Sequence, residues 1–202
     1  MFGGRLGGHP ASSTARRKPW VIFSPYAQSA KPGRNPSTDL RKPRREDAAA
    51  IFARYASDRE VTRLLGWARH ETVEATRAFL EFSEREWSQW PAGPYLVESR
   101  EDGALLGSTG LAFETSQTAA TGYVLAKDAW GKGYATESLR AVVGIAREVG
   151  VVRLYALCHP ENLASSRVLE KCGFASEGIL PQRCTFPNLG SDAPCDVLCY
   201  AL

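Results

Sequence analysis

The chain has 202 residues, 44% hydrophobic and 23% charged, which fits one soluble domain plus a tail and needs no disulfide or metal staple to bury a core. The net charge of +3 is uneven: residues 1–36 hold six Lys and Arg and no acid, which leaves residues 37–202 at −3. A slightly acidic folded part argues against the basic face of a nucleic-acid-binding domain, and no apolar run approaches the ~20 residues of a membrane span.

Residues 1–36 are rich in Gly, Ser, Ala, Pro and Arg and carry neither a period of 2 nor one of 3.6, so a disordered or loosely attached basic tail is expected there. Within it, Trp20-Val21-Ile22-Phe23 stops at Ser24-Pro25, too short for a secretory core, and the protein is expected in the cytoplasm. The folded domain is expected over 37–202. Leu40 to Pro43 reads as a first strand. Glu46 to Tyr55 reads as a helix, with Ala48, Ile51, Phe52 and Tyr55 at helical spacing. A short helix follows over Arg59 to Leu65, capped by Ser57 or Asp58. Thr72 is expected to cap a longer helix toward Trp90, with Val73, Thr76, Phe79, Leu80 and Trp87 as its apolar stripe, ended by Pro91, Gly93 and Pro94.

Three strands come next: Tyr95 to Ser99, Ala104 to Phe113 and Thr121 to Ala126, the first two joined by the turn signal Asp102-Gly103. A glycine-rich turn, Trp130-Gly131-Lys132-Gly133, opens a helix from Tyr134 to Val149. Val151 to Leu157 is an apolar run of the kind covered on both faces of a sheet. Asn162 caps a helix ending at Gly173, Phe174 opens another strand, and Val197 to Leu202 forms the last. The order gives an α/β domain with a mixed sheet of about seven strands flanked by helices. Cys158, Cys172, Cys184, Cys195 and Cys199 include no CxxC pair and lack the His spacing of a zinc site, so free thiols and no metal are expected.

The strongest chemical feature is the strand, glycine turn and helix start over Gly122 to Glu137. The first N–H groups of a helix lack intrahelical partners and carry the positive end of the helix dipole. Glycines let a ligand approach that backbone, and Lys132 adds charge, so the turn reads as a phosphate cradle. A Rossmann fingerprint fails because Thr136 stands at its third glycine position, and no GxxxxGK[ST] loop exists.

Trp130-Gly131-Lys132-Gly133-Tyr134-Ala135 resembles motif A of the GNAT superfamily, [Q/R]xxGx[G/A], with Trp at the first position. WGKGYATE resembles the ribosomal-protein N-terminal acetyltransferase, or RimJ/RimL-like, branch. The second family motif is matched by Asn162 to Phe174, about 30 residues on. Leu40-Arg41-x-Pro43 and Glu60 to Trp67 are also similar to this branch. The resemblance spans Ser37 to Leu202 and implies the GNAT fold, its sheet opened by a V-shaped split between the strands at Val124 and Val151. It implies acetyl-CoA as co-substrate, its pantetheine arm on Val124, Leu125 and Ala126 and its pyrophosphate on Gly131, Lys132, Gly133, Tyr134, Ala135 and Thr136 beside Trp130. It sets Asn162 and Ser165 near the thioester sulfur; by residue type alone, both also suit helix capping. Its members include monomers and homodimers.

The reaction needs a neutral amine, donors for an oxyanion, for which backbone N–H groups near Val124 and Leu125 are candidates, and a proton for the leaving thiolate, for which Ser165 is one. No Cys has a His–Asp relay in its neighbourhood, so direct transfer is expected. RimL-like relatives place an acid after the second motif, but Gln182-Arg183-Cys184 holds none. Glu98 and Glu114 are the remaining base candidates, though each reads more readily as a solvated surface residue, and Glu137 reads as steadying its helix. At pH 7 about 14% of an α-amine is neutral against about 0.04% of a lysine, a gap near 3.5 kcal/mol, so a weak base suits α-amines. A ribosomal or other protein N-terminus is therefore the leading acceptor. A small amine (amino acid, polyamine or antibiotic) and a non-catalytic acyl-CoA binder remain open.

Overall fold

The computed structural model describes residues 37–202, so the tail expected over 1–36 lies outside the described residues. Seven strands form one sheet in the order β1-β2-β3-β4-β5-β7-β6. β1 (Thr38–Arg41), β2 (Pro94–Ser99), β3 (Leu105–Phe113) and β4 (Thr118–Leu125) make an antiparallel meander. β5 (Arg153–Cys158) joins β4 in parallel, and the hairpin of β6 (Ala175–Phe186) and β7 (Ser191–Ala201) completes the sheet through β5·β7. The mixed, mostly antiparallel sheet matches the sequence reading, but the last hairpin is longer at both inner ends. Its exposed residues alternate little in polarity, so the sequence marks only the buried stretch from Val197.

The sheet separates two apolar layers. α4 (Tyr134–Glu148) and α5 (Leu163–Lys171) cover one face, where Leu139, Val142, Val168 and Leu169 pack on Ala119, Tyr123, Leu125 and Leu154. On the other face Ile51, Tyr55, Val61, Leu65 and Leu80 pack on Leu96, Val124 and Ala126. Each fully buried side chain of this size contributes about 1.5–3 kcal/mol. β5 shows why its run is continuous: Leu154, Ala156 and Cys158 face the α4 layer while Leu157 packs with Phe186 and Val197.

The helix expected over Glu46 to Tyr55 changes winding twice. A 3-10 turn (Arg45–Asp47) leads into α1 (Ala48–Ile51), followed by a π-wound segment (Phe52–Ala56). The Phe52 carbonyl accepts from both the Ser57 N–H, at 3.2 Å, and the Ser57 hydroxyl, at 2.7 Å, which widens the last turn and buries Tyr55. α2 (Arg59–Thr62) is capped by Asp58, whose carboxylate accepts from the N–H groups of Glu60 and Val61. α3 (Val73–Gln89) starts at Thr72 without a side-chain cap. Its buried face is Thr76, Leu80, Ser83 and Glu86, so the expected stripe is split: Phe79 lines a cavity instead of the solid core.

Candidate active site

A turn at Lys127–Ala129 links β4 to the glycine loop. It is fixed from outside. Arg54 grips both oxygens of Asp128 at 3.0 and 3.1 Å, and Lys127 pairs with Glu60. Trp130 donates its indole N–H to the Leu125 carbonyl at 2.9 Å, closing the loop onto the end of β4. Gly131 and Gly133 have φ of +74° and +90°, the left-handed region that penalises every side chain. A Cβ on Gly131 would meet nothing within 4 Å, so that backbone faces open space. Gly133 is the N-cap of the 15-residue α4 and has no side chain to satisfy the first N–H groups. Those groups, with the exposed Lys132, fit a phosphate. Ala135 and Thr136 have buried side chains, so what they offer a ligand is backbone.

β4 and β5 pair only over Thr118↔Arg153, Ala119↔Leu154 and Ala120↔Tyr155, and then diverge. This is the V-shaped split. From Thr121 to Leu125, β4 pairs with β3 alone. The direction of the free groups follows from the strand's alternation. Ala126 N–H donates to the Leu106 carbonyl, and the Val124 carbonyl lies 2.0 Å from where a Cβ on Gly107 would stand. Even-numbered residues here thus turn toward β3, and Tyr123 and Leu125 turn their N–H groups into the split. The sequence named Val124, Leu125 and Ala126; of these Leu125 turns its N–H into the split, while Val124 and Ala126 turn toward β3, and Tyr123 is the donor it did not name.

Asn162 and Ser165 are brought to the mouth of α5 and are fully buried. The Asn162 Oδ1 accepts from Ser165 N–H at 3.1 Å, the helix cap expected from residue type. The Ser165 hydroxyl lies 3.1 Å from the hydroxyl of Tyr123. Tyr123 was missed by sequence reasoning, where it read as one residue of a strand.

Across β4 lies a cavity of about 260 Å³. Its walls come from the π segment (Tyr55), the loop Trp67–His70, α3 (Phe79, Phe82) and β4 (Tyr123, Val124). Among the described residues, no Asp, Glu, Lys or Arg lines it. The Tyr55 hydroxyl, fully buried beside Ser108, makes no well-formed hydrogen bond among the described residues. His70 Nδ1 is 2.8 Å from the Thr76 hydroxyl, and its ring sits 5.0 Å from that of Trp67.

The chain matches the family described as acetyltransferase (GNAT) domain over residues 38–175. This chain belongs to the GNAT acetyltransferase family. It is 31% identical over 151 residues to an uncharacterized N-acetyltransferase, YoaA, of Bacillus subtilis, covering 71% of this chain and 82% of that protein. Two solved structures share the fold. One is an acetyl transferase of Salmonella typhimurium described as modifying the N-terminal serine of ribosomal protein L7/L12 (21% identical, TM-score 0.71, 83% of this chain and 95% of that one). The other is a spermidine N-acetyltransferase of Vibrio cholerae solved with CoA and spermine (19% identical, TM-score 0.69, 83% and 96%). The chain is thus a GNAT N-acetyltransferase, and its fold is compatible with protein and small-molecule acceptors alike.

The acids proposed as bases for this GNAT enzyme stand elsewhere. Glu98 accepts from Arg41 Nε at 2.7 Å, and Arg41 also holds Asp47 through both terminal nitrogens, so Glu98 belongs to the clamp that fixes β1 and not to the cavity wall. Glu114 accepts from the Tyr155 hydroxyl at 2.5 Å on the exposed surface. Glu137 does more than steady its helix: it takes four hydrogen bonds from the N–H and hydroxyl groups of Ser37 and Thr38, at 2.6–2.7 Å, and ties the start of β1 to α4. All five cysteines are free thiols, Cys158 and Cys199 buried.

Proposed function

We propose that the enzyme transfers the acetyl group of acetyl-CoA by direct attack to the α-amine of a peptide or protein N-terminus. The observation that carries this reading is the cavity beside Val124, whose wall among the described residues has no carboxylate. A polyamine or an aminoglycoside brings two or more positive charges, and burying them unpaired is costly. A lysine side chain needs a stronger base than this wall contains. An α-amine meets neither obstacle.

Acetyl-CoA supplies the activated acetyl group, and the N–H groups of Gly131 to Thr136 with Lys132 would hold its pyrophosphate. Tyr123 and Leu125 N–H groups are the edge donors for the pantetheine arm and the developing oxyanion. Ser165, hydrogen-bonded to Tyr123, is the proton source for the leaving sulfur, and Asn162 holds Ser165 in place. Burial holds the Cys158 thiol up at about 11, protonated at neutral pH, so it is a poor nucleophile for an acetyl-cysteine route.

The test is CoA release from acetyl-CoA at pH 7.5 with short peptides, spermidine and free lysine as acceptors, products identified by mass spectrometry. Acetylation at the peptide α-amine is expected. Turnover confined to spermidine or to lysine side chains would replace the reading.

A further inference from the structure

We propose that the cavity seats an uncharged, apolar first side chain of the acceptor, and that His70 takes the proton from the attacking amine. This rests on the α-amine reading above and adds the class of N-terminus and the base.

The wall of the cavity is the first argument. Ile51, Trp67, Ala78, Phe79, Phe82 and Val124 present aliphatic and aromatic surface, and its volume of about 260 Å³ is just under the range of small-molecule sites, roughly 300–1,000 Å³. A side chain of Leu or Phe size removes that surface from water. A charged side chain would be desolvated there without a counter-charge.

The second argument is the position of His70. Among the described residues it is the one imidazole in the wall, and it shares that wall with Tyr123 and Val124 at the split. Its backbone is pinned by a 2.9 Å bond from its N–H to the Ala56 carbonyl. With Nδ1–H donating to Thr76, Nε2 carries the lone pair and has no hydrogen-bond partner among the described residues. The charged groups nearby are occupied with one another. Arg69 reaches Glu71 and the Ser57 carbonyl, and on α3 Arg77 reaches Glu74. Tyr55 and Tyr123 are the other titratable groups of the wall, and burial pushes both phenols up, so they stay neutral. Burial also lowers His70 from its ordinary 6.5, which keeps it unprotonated at neutral pH.

The step balances without a further reactant. The amine nitrogen forms a bond to the thioester carbonyl carbon, the carbon–sulfur bond breaks, and His70 Nε2 receives the proton the nitrogen gives up. The sulfur leaves with its electron pair and takes a proton from the Ser165–Tyr123 pair, which solvent resupplies. Amine and thioester become amide and thiol.

The experiment compares peptides that differ only at the first residue: Leu, Phe, Ser, Glu and Lys. Leu- and Phe-first peptides are expected to exceed Ser in kcat/KM by about tenfold or more, since each extra methylene in an apolar pocket is worth about 10–200-fold. Their N-acetylated products should also bind more tightly by calorimetry. Equal rates for Ser, Glu or Lys would overturn the side-chain assignment while leaving α-amine transfer intact. Turnover of 2-phenylethylamine with no peptide turnover would do the reverse. His70→Gln should lower kcat by about 10²–10⁴-fold and leave acetyl-CoA affinity unchanged. Below His70's pKa, log kcat/KM should rise with a slope of about two in the wild type, one proton from the amine and one from His70, and about one in the variant. As a second variant, Thr76→Val removes the Nδ1 partner, and Thr76→Ser should restore the loss. An unchanged slope in His70→Gln would remove His70 as the base.

Discussion

Gly131 and Gly107 make opposite demands, and substitution separates them. Gly131 has φ of +74° with open space before it, so Gly131→Ala meets only the backbone cost, about 1–2 kcal/mol. The new methyl stands where a phosphate would touch backbone. We expect a small drop in Tm with CoA affinity, measured by calorimetry, weakened about tenfold or more, which is 1.4 kcal/mol. A Kd matching the wild type would mean that the loop does not hold CoA. Gly107 instead carries the approach of β3 to β4: a Cβ there falls 2.0 Å from the Val124 carbonyl and 2.8 Å from Leu125 Cα, both backbone. Gly107→Ala must push β4 aside, and overpacking of this kind costs about 1–3 kcal/mol or more. The expected result is a clear fall in Tm together with lost CoA binding, because the displaced strand is the one that edges the split. Trp130 belongs to the same scale. The family pattern has Gln or Arg at its position, and here the indole spends its N–H on Leu125, so its part in the site is to fix the loop that the glycines form.

At the scale of elements, the loop that carries Trp67 and His70 is held from the far end of the sequence. Asn188, in the 3-10 turn (Pro187–Leu189) between β6 and β7, accepts from Arg69 N–H at 2.8 Å and donates to the carbonyls of Thr62 and Trp67 at 2.7 and 2.8 Å. Asn188→Ala leaves those backbone groups without a partner, a cost of about 1–3 kcal/mol. Steady-state kinetics should show a raised acceptor KM with CoA affinity unchanged; an unchanged KM would detach the clamp from the cavity. Glu137 is a second such tie, and it titrates. Burial would raise its pKa, but the bonds from Ser37 and Thr38 outweigh this and hold it below the ordinary 4.5. The lowered folded value means its stabilisation is complete above about pH 4.5 and is lost as pH falls through the folded pKa. Asp47, held by Arg41 and the Arg44 N–H, is lowered too and acts in the same direction. Glu137→Gln should therefore flatten part of the fall in Tm as pH drops below about 4.5, and identical profiles would refute the tie. These long-range contacts show what the sequence could express. The succession of elements along the chain and the glycine loop were legible because each is written in a contiguous run with its own period or turn chemistry. The acceptor cavity was not: Tyr55, Trp67, His70 and Phe79 lie on separate elements, and each alone reads as core. Glu98 misled for the same reason, since its partner Arg41 is 57 residues away.

The whole molecule is two sheet halves that meet over three residue pairs. β1 to β4 with α1 to α3 form one half, and β5, β7 and β6 form the other, joined at Thr118 to Ala120 and by the α4–α5 layer. Past Ala120 the joint is open, and the edge of β4 at Tyr123 to Leu125 stands on one lip while Cys158 and the Asn162 cap stand on the other. A ligand that lies along that opening and ends on the first turn of α4 bridges both halves. Binding to the folded state alone stabilises it by about 2.7 kcal/mol at a hundredfold excess over Kd. The distribution of that gain is what separates a bridging ligand from one bound at the surface. Hydrogen exchange with saturating CoA should slow at Tyr123, Leu125 and Tyr134 to Thr136, on the β4 edge and in the first turn of α4. The exposed strand segments of the outer hairpin, Gly178 to Arg183 and Ser191 to Pro194, should exchange at their unliganded rate. Protection confined to α4 would leave the phosphate cradle standing but take the pantetheine arm out of the split. Protection spread evenly over the hairpin as well would mean that CoA tightens the sheet as a single body, with no role for the gap between β4 and β5.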